Sequence, residues 1–266
     1  MSETPNRAAN ASLRTADTLV GEGAVVLPSG LNPSIFKQLL NASLSFENDE
    51  CHATIVAARK RGVTEITLAD QYIPAVARTL GDLWSSDHIG FVDVTIGSAK
   101  LQAMLRDLGP DWAADTIAAA DAPSILLMTP QNASHTLGAV VLAGQLRRRG
   151  YSVRIVFDAD RTRIAEIMDR IHFDAVFVSA AHSESLERLR RMVDFVRTLT
   201  STHLPIVLGG TVIEASANVA SLTGVDLATS NLDEAIEHCR LIPTLDTSET
   251  AGHDKASSKS SLAPLK

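Results

Sequence analysis

The residues best equipped for chemistry in this chain stand in three short segments. The first reads Thr129-Pro-Gln-Asn-Ala-Ser-His-Thr-Leu-Gly138 and places an imidazole, His135, seven residues beyond the apolar run Ser124-Ile-Leu-Leu-Met128. The second, Ser179-Ala-Ala-His-Ser183, follows the run Ala175-Val-Phe-Val178, and the third, Gly209-Gly-Thr211, follows Pro205-Ile-Val-Leu208. His135 has two readings: a polar neighbour of a helix start, or an imidazole nitrogen offered to a metal or a proton. Gly138 leaves room for a bulky planar group to approach the helix backbone. Gly209 and Gly210 withdraw side-chain volume in the same way, although a plain tight turn also explains them.

Other chemistries fit these residues less well. No G-x-G-x-x-G follows the first apolar run and no G-x-x-x-x-G-K-[ST] occurs, which disfavours nucleotide binding through the usual phosphate turns. His182 and Glu184 flank the second segment, but a glutamate near a helix start is favoured there by the helix dipole alone. His52 and His172 have no convergent partners in the sequence, and no serine sits on a nucleophile elbow. The expectation is a protein that is not an enzyme.

The elements that must position these segments follow from hydrophobic period. Ser124–Met128, Ser152–Val156, Ala175–Val178, Pro205–Leu208 and Val225–Ala228 are short apolar strand candidates separated by helical stretches, the pattern of a parallel sheet covered on both faces. In strand order 2-1-3-4-5, strands one, three and four lie side by side. The three segments then border one groove at the carboxyl ends of the strands, where open sheets hold ligands. Upstream the period is helical: Ile35, Phe36, Leu39 and Leu40, then Cys51, Ile55 and Ala58 up to a break at Gly62. Thr67-Leu-Ala-Asp70 has capping-box spacing before Ile73, Val76, Ala77, Leu80 and Trp84, and a fourth run from Val92 stops at Gly109-Pro110.

The fold expected is therefore α/β: an N-terminal four-helix bundle followed by a flavodoxin-like (Rossmann-like) five-stranded parallel sheet. Its divisions are a flexible leader over 1–30, a helical cap over 31–110, an α/β domain over 121–242 and a disordered tail over 243–266. A chain of 266 residues has room for two such units, and 45% hydrophobic with 21% charged residues is the composition of a soluble globular protein. The net charge of -7 works against polyanion binding, and Arg147-Arg-Arg149 and Arg188–Arg191 read as solvated helix faces before they read as DNA contacts. Direct DNA contact and membrane association are thus disfavoured, and self-association is left open. Two isolated cysteines, Cys51 and Cys239, with no secretion-signal pattern near Met1, lead to the expectation of a reduced, cytoplasmic setting.

Together His135, Gly138, Ser179 and Gly209-Gly210 resemble the signature of the cobalamin-binding domain family of methionine synthase and corrinoid proteins. That family carries Asp-x-His-x-x-Gly after strand one, a serine near strand three and Gly-Gly after strand four. The resemblance implies that His135 is the lower axial cobalt ligand and that Gly138, Ser179, Gly209 and Gly210 line the cofactor slot. It also implies that the bundle is a cap, with Trp84 over the exposed face of the ligand and His88 as a candidate upper contact; a loop histidine is the plainer reading of His88. Two positions depart from the pattern. Ala133 stands where the family has the aspartate that supports the histidine, with Asn132 one place out of register, and Ala181 stands where it has Leu or Thr. A metal-bound histidine without its usual partner is a weaker or differently tuned ligand.

The cap narrows the resemblance. Light-sensing cobalamin regulators carry a Trp, nine residues and then Glu-His; counted from Trp84 those two positions are Val94 and Thr95. The stretch Phe91–Gln102 instead looks like that of the AerR/PpaA group of antirepressors from purple photosynthetic bacteria. This resemblance implies a tetrapyrrole-binding regulator, with cobalamin or alternatively heme as cofactor, that responds to light or redox state through a CrtJ/PpsR-type transcriptional repressor. A corrinoid methyl carrier shares the fold, and the Ala133 change weighs against it.

Overall fold

In the computed structural model the described residues are 15–45, 47, 49–109, 121–133 and 136–242. The expected metal ligand His135, the Pro110 helix stop and the expected tail over 243–266 lie outside the described residues.

The sheet contains β1 (Ser124–Pro130), β2 (Ser152–Ala159), β3 (Ala175–Ser179), β4 (Ile206–Gly209) and β5 (Leu227–Ala228), all parallel, in the order β2-β1-β3-β4-β5. The expected order is thus the observed one. Successive side chains on a strand point to opposite faces, and the core divides accordingly. Leu126, Met128, Val176, Val178, Ile206 and Leu208 face one way, with Ile164, Leu189 and Val193 from α8 (Arg161–Arg170) and α9 (Leu186–Thr198). Ile125, Leu127, Ala175, Phe177 and Val207 face the other, toward α7 (Leu137–Arg148) and α10 (Leu232–His238). Burial on both faces is why β1 and β3 read as unbroken apolar runs.

Upstream, α2 (Pro33–Leu44), α3 (Asp49–Lys60), the helical run through α4 (Glu65–Thr67) and α5 (Ile73–Ser85), and α6 (Phe91–Leu108) enclose a core of Phe36, Leu39, Leu40, Leu68, Leu80, Leu101 and Met104. Three expectations need correction. The flexible leader over 1–30 is overturned for 15–30, where α1 (Ala16–Gly21) buries Ala16 and Leu19 in the bundle and the Ala16 amide donates to Asn41 Oδ1 at 2.6 Å. Its few apolar residues are too short a set to show a period in the sequence. The expected capping box at Thr67–Asp70 is one turn late: Thr64 is the N-cap, its Oγ1 accepting from the Thr67 amide at 3.1 Å, and Thr67 is already helical. A π-helical turn over Leu68–Tyr72 follows before α5. Finally, the arginines at the end of α7 are not a free solvated face. Arg147 donates to the Val153 carbonyl, Arg148 pairs with Asp70 of the π turn at 2.5 Å, and Arg149 pairs with Asp233 at 2.7 Å.

Bundle and sheet share α7. Ala139, Ala143 and Leu146 lie on its sheet face, while Val141, with Leu137 and Val140, packs into the bundle core. A helix buried on two sides must be apolar nearly all round, which accounts for the composition LGAVVLAGQL.

Candidate functional site

The carboxyl ends of β1, β3 and β4 meet at one edge of the sheet. Thr129, fully buried near the end of β1, accepts a hydrogen bond on Oγ1 from the Asp158 amide at 3.1 Å. The chain then turns, with the Ala133 amide donating to the Pro130 carbonyl at 3.1 Å. Asn132 takes a left-handed conformation, φ 63°, which asparagine tolerates better than most residues. Its amide donates to the Asp158 carboxylate at 2.5 Å, and the Arg188 guanidinium donates to the Gln131 carbonyl at 2.5 Å. The turn that leads to residue 135 is therefore held by side chains from β2 and α9, neither of which stands near it in sequence.

Ser179 ends β3 and is paired in register with Gly209. Across the groove, a methyl group added at exposed Gly138 would, among the described residues, meet only Ser179 Oγ, at 3.8 Å. The structure thus brings Gly138, Ser179 and Gly209 together at the carboxyl edge of the sheet. The two glycines after β4 do different work. A methyl at Gly209 would lie 3.2 Å from the Thr229 carbonyl, a tight but local contact. At Gly210 it would fall 2.2 Å from the Ala180 carbonyl, and the backbone there, φ 96° and ψ -178°, is one that only glycine readily adopts. The backbone alone demands glycine at 210, whereas at Gly138 a methyl would make an ordinary contact.

In the cap, Trp84 is 44% exposed and meets the ring of Phe91 edge-on, centroids 6.3 Å apart. Phe91 and Val92 are exposed beside it, an apolar group that sequence reasoning had not assigned beyond Trp84. His88 follows the left-handed Asp87 that ends α5, and its Nδ1 lies 2.9 Å from Ser86 Oγ. That contact is the local one expected of a helix-end histidine. Along α6, Phe91, Thr95, Ser98 and Gln102 recur at helical spacing on one stripe. At its lower end Gln102 Nε2 donates to Thr136 Oγ1 at 2.8 Å, so the stripe reaches the β1–α7 turn. Gln102 was missed as a site residue because its partner is 34 positions away.

Among the described residues no group of three or more His, Cys, Asp or Glu side chains is placed to hold a metal ion. The shifted titratable groups have structural surroundings. Burial raises Cys51 and Tyr151 and pushes Cys239 up to about 11. Burial also pushes Asp226 upward, but hydrogen bonds from Arg197 and the Ile206 amide outweigh it and hold the carboxyl below its ordinary value. No helix among the described residues is long and apolar enough to cross a membrane.

With this geometry in place, comparison with known proteins gives three findings. The family model for the B12 binding domain matches residues 123–236. The 20.5 kDa protein in the bchF-crtJ intergenic region of Rhodobacter capsulatus is 35% identical over 175 residues, covering 66% of this chain and 91% of that protein. Among solved structures, similarity extends to a cobalamin-binding protein from Desulfitobacterium hafniense, with 18% identity, TM-score 0.40 and coverage of 76% of this chain and 95% of that one. It extends also to the methanol:cobalamin methyltransferase complex MtaBC from Methanosarcina barkeri, with 14% identity, TM-score 0.40 and coverage of 90% and 87%.

Proposed function

The chain belongs to the B12 binding domain family, and from that premise we propose that it is a cobalamin-binding regulator that acts as an antirepressor on a CrtJ/PpsR-type transcriptional repressor. The observation that carries the cofactor part is the absence of a side chain at exposed Gly138, where among the described residues an added methyl would meet Ser179 Oγ at an ordinary contact distance of 3.8 Å, with Gly209 in register with Ser179. A cradle from which side chains are withdrawn on two elements fits a bulky planar group, and the donor that the sequence supplies near it is the imidazole of His135. Bound cobalamin supplies a cobalt centre with axial positions for nitrogen donors and a visible spectrum that reports on them. His135 would be the lower ligand, Gly138, Ser179 and Gly209 would hold the cofactor's lower side, and Trp84 with Phe91 would shield it from the cap.

A regulatory role, without turnover, is supported by Ala133. A methyl carrier cycles its cobalt between oxidation states and benefits from a carboxylate that tunes the histidine; this chain has a methyl group there. The relative's position between bchF and crtJ supports a link to a photosynthesis regulator. A ligand can switch such a protein only if it binds one cap arrangement better than another. The test is capture of a purified CrtJ/PpsR-type repressor by the full chain, with and without hydroxocobalamin, in darkness and in light. We expect capture to change at least severalfold on cofactor addition and the change to disappear in His135→Ala. Capture that is the same in every condition, or absent throughout, would sink the antirepressor reading.

A further inference from the structure

We infer that Gln102 is a positioning residue through which the cap controls the turn that carries His135; this rests on the cobalamin reading above. The turn is anchored on its strand side by two bonds from the sheet domain, Asp158 to the Asn132 amide and Arg188 to the Gln131 carbonyl. On the helix side, immediately after residue 135, Thr136 receives its bond from the cap, Gln102 Nε2 to Oγ1 at 2.8 Å.

Thr136 is the N-cap residue of α7, and a threonine there ordinarily turns its hydroxyl onto the first amides of its own helix. Here it makes no such bond. Its backbone is already helical, φ -103° and ψ -13°, and the hydroxyl is engaged by Gln102. The first turn of α7 is thus tied to a residue of the other unit, with Asp70–Arg148 tying the far end of the same helix to the cap. If α6 moves away, the Thr136 hydroxyl loses its partner, and the start of α7, with the residue next to His135, loses its restraint from the cap. A seated cap therefore favours one geometry of the turn, and a ligand that requires that geometry favours the seated cap by the same factor. In a chain with no carboxylate at 133, this contact supplies restraint from the cap side.

The test compares Gln102→Leu, which removes the donor at similar volume, with Gln102→Glu, which can accept from the Thr136 hydroxyl. With hydroxocobalamin bound, two quantities are read: affinity, and the pH at which the histidine-ligated spectrum is lost on acidification. In the protein without cofactor, hydrogen exchange is followed at the Val140 amide, which donates to the Thr136 carbonyl at 3.1 Å. One neutral hydrogen bond predicts that Gln102→Leu weakens binding about fivefold, raises the pH midpoint by about 0.7 unit and speeds Val140 exchange, with Gln102→Glu restoring all three. A packing role alone would lower thermal stability and leave the pH midpoint in place. An unchanged midpoint and unchanged Val140 exchange in Gln102→Leu overturn the inference. If the parent protein and His135→Ala both fail to hold cobalamin, the cofactor reading falls, and Val140 exchange alone then decides the tether. Should Gln102→Leu not fold, Thr136→Val removes the same bond from the other side and is read identically.

Discussion

Gly138 and Gly210 have the same residue type at the same groove and opposite reasons for it. At Gly210 an added methyl must displace the Ala180 carbonyl and sit in a backbone region reserved for glycine, so Gly210→Ala should cost about 2–3 kcal/mol of stability in urea unfolding. Gly138 lies exposed in the first turn of α7, and among the described residues an added methyl meets only Ser179 Oγ at an ordinary contact distance, so a side chain there can extend toward solvent in the protein alone. Gly138→Leu should therefore remain within about 1 kcal/mol of the parent in the same unfolding series. Its retention of hydroxocobalamin should nevertheless fall at least roughly tenfold, the 1.4 kcal/mol equivalent of a modest steric loss. Normal retention in Gly138→Leu would show that the space at Gly138 is not used. The sequence places both glycines in segments that follow apolar strands, but it does not distinguish a glycine needed by the backbone from one that leaves room, because that difference depends on which carbonyl lies opposite.

At the scale of elements, Asp226 joins α9, β4 and β5. Its carboxylate accepts from Arg197 at 2.6 Å and from the Ile206 amide at 2.7 Å, and His203 Nε2 lies 3.6 Å away. Because its folded pKa is held below the unfolded value of roughly 3.9, the stabilisation is present in full above that value and disappears as pH falls through the folded pKa. Asp226→Asn should cost about 1–3 kcal/mol at pH 7, a gap that narrows steadily below about pH 4 in urea unfolding. A gap independent of pH would assign the loss to shape and not to charge. Elements of this sheet are legible in sequence because burial on both faces writes itself as apolar runs at each strand, whereas the strand order depends on tertiary packing that the runs do not encode. The cap is legible in its core stripes but not in its joins. Thr67-Leu-Ala-Asp70 carries the capping pattern, yet Thr64 caps and Asp70 is instead committed to Arg148, 78 positions away. A local pattern cannot register a competing long-range partner.

For the whole molecule, the point of interest is that cap and sheet are built around one helix. α7 begins at the turn beyond residue 135, gives one face to each unit and has cap partners at both ends, Gln102 at Thr136 and Asp70 at Arg148. Such an arrangement would pass a change at the groove to the cap through α7 itself, and it is the physical basis for proposing that the protein is a switch. That reading depends on a cofactor at the groove, and the direct measurement is the absorption spectrum of the full chain after incubation with hydroxocobalamin and gel filtration. The account predicts that cobalamin elutes with the protein, that its spectrum is shifted from that of the free cofactor, and that His135→Ala abolishes the shift. A colourless protein peak, a spectrum unchanged by His135→Ala, or a Soret band obtained with heme and no retention of cobalamin would contradict it.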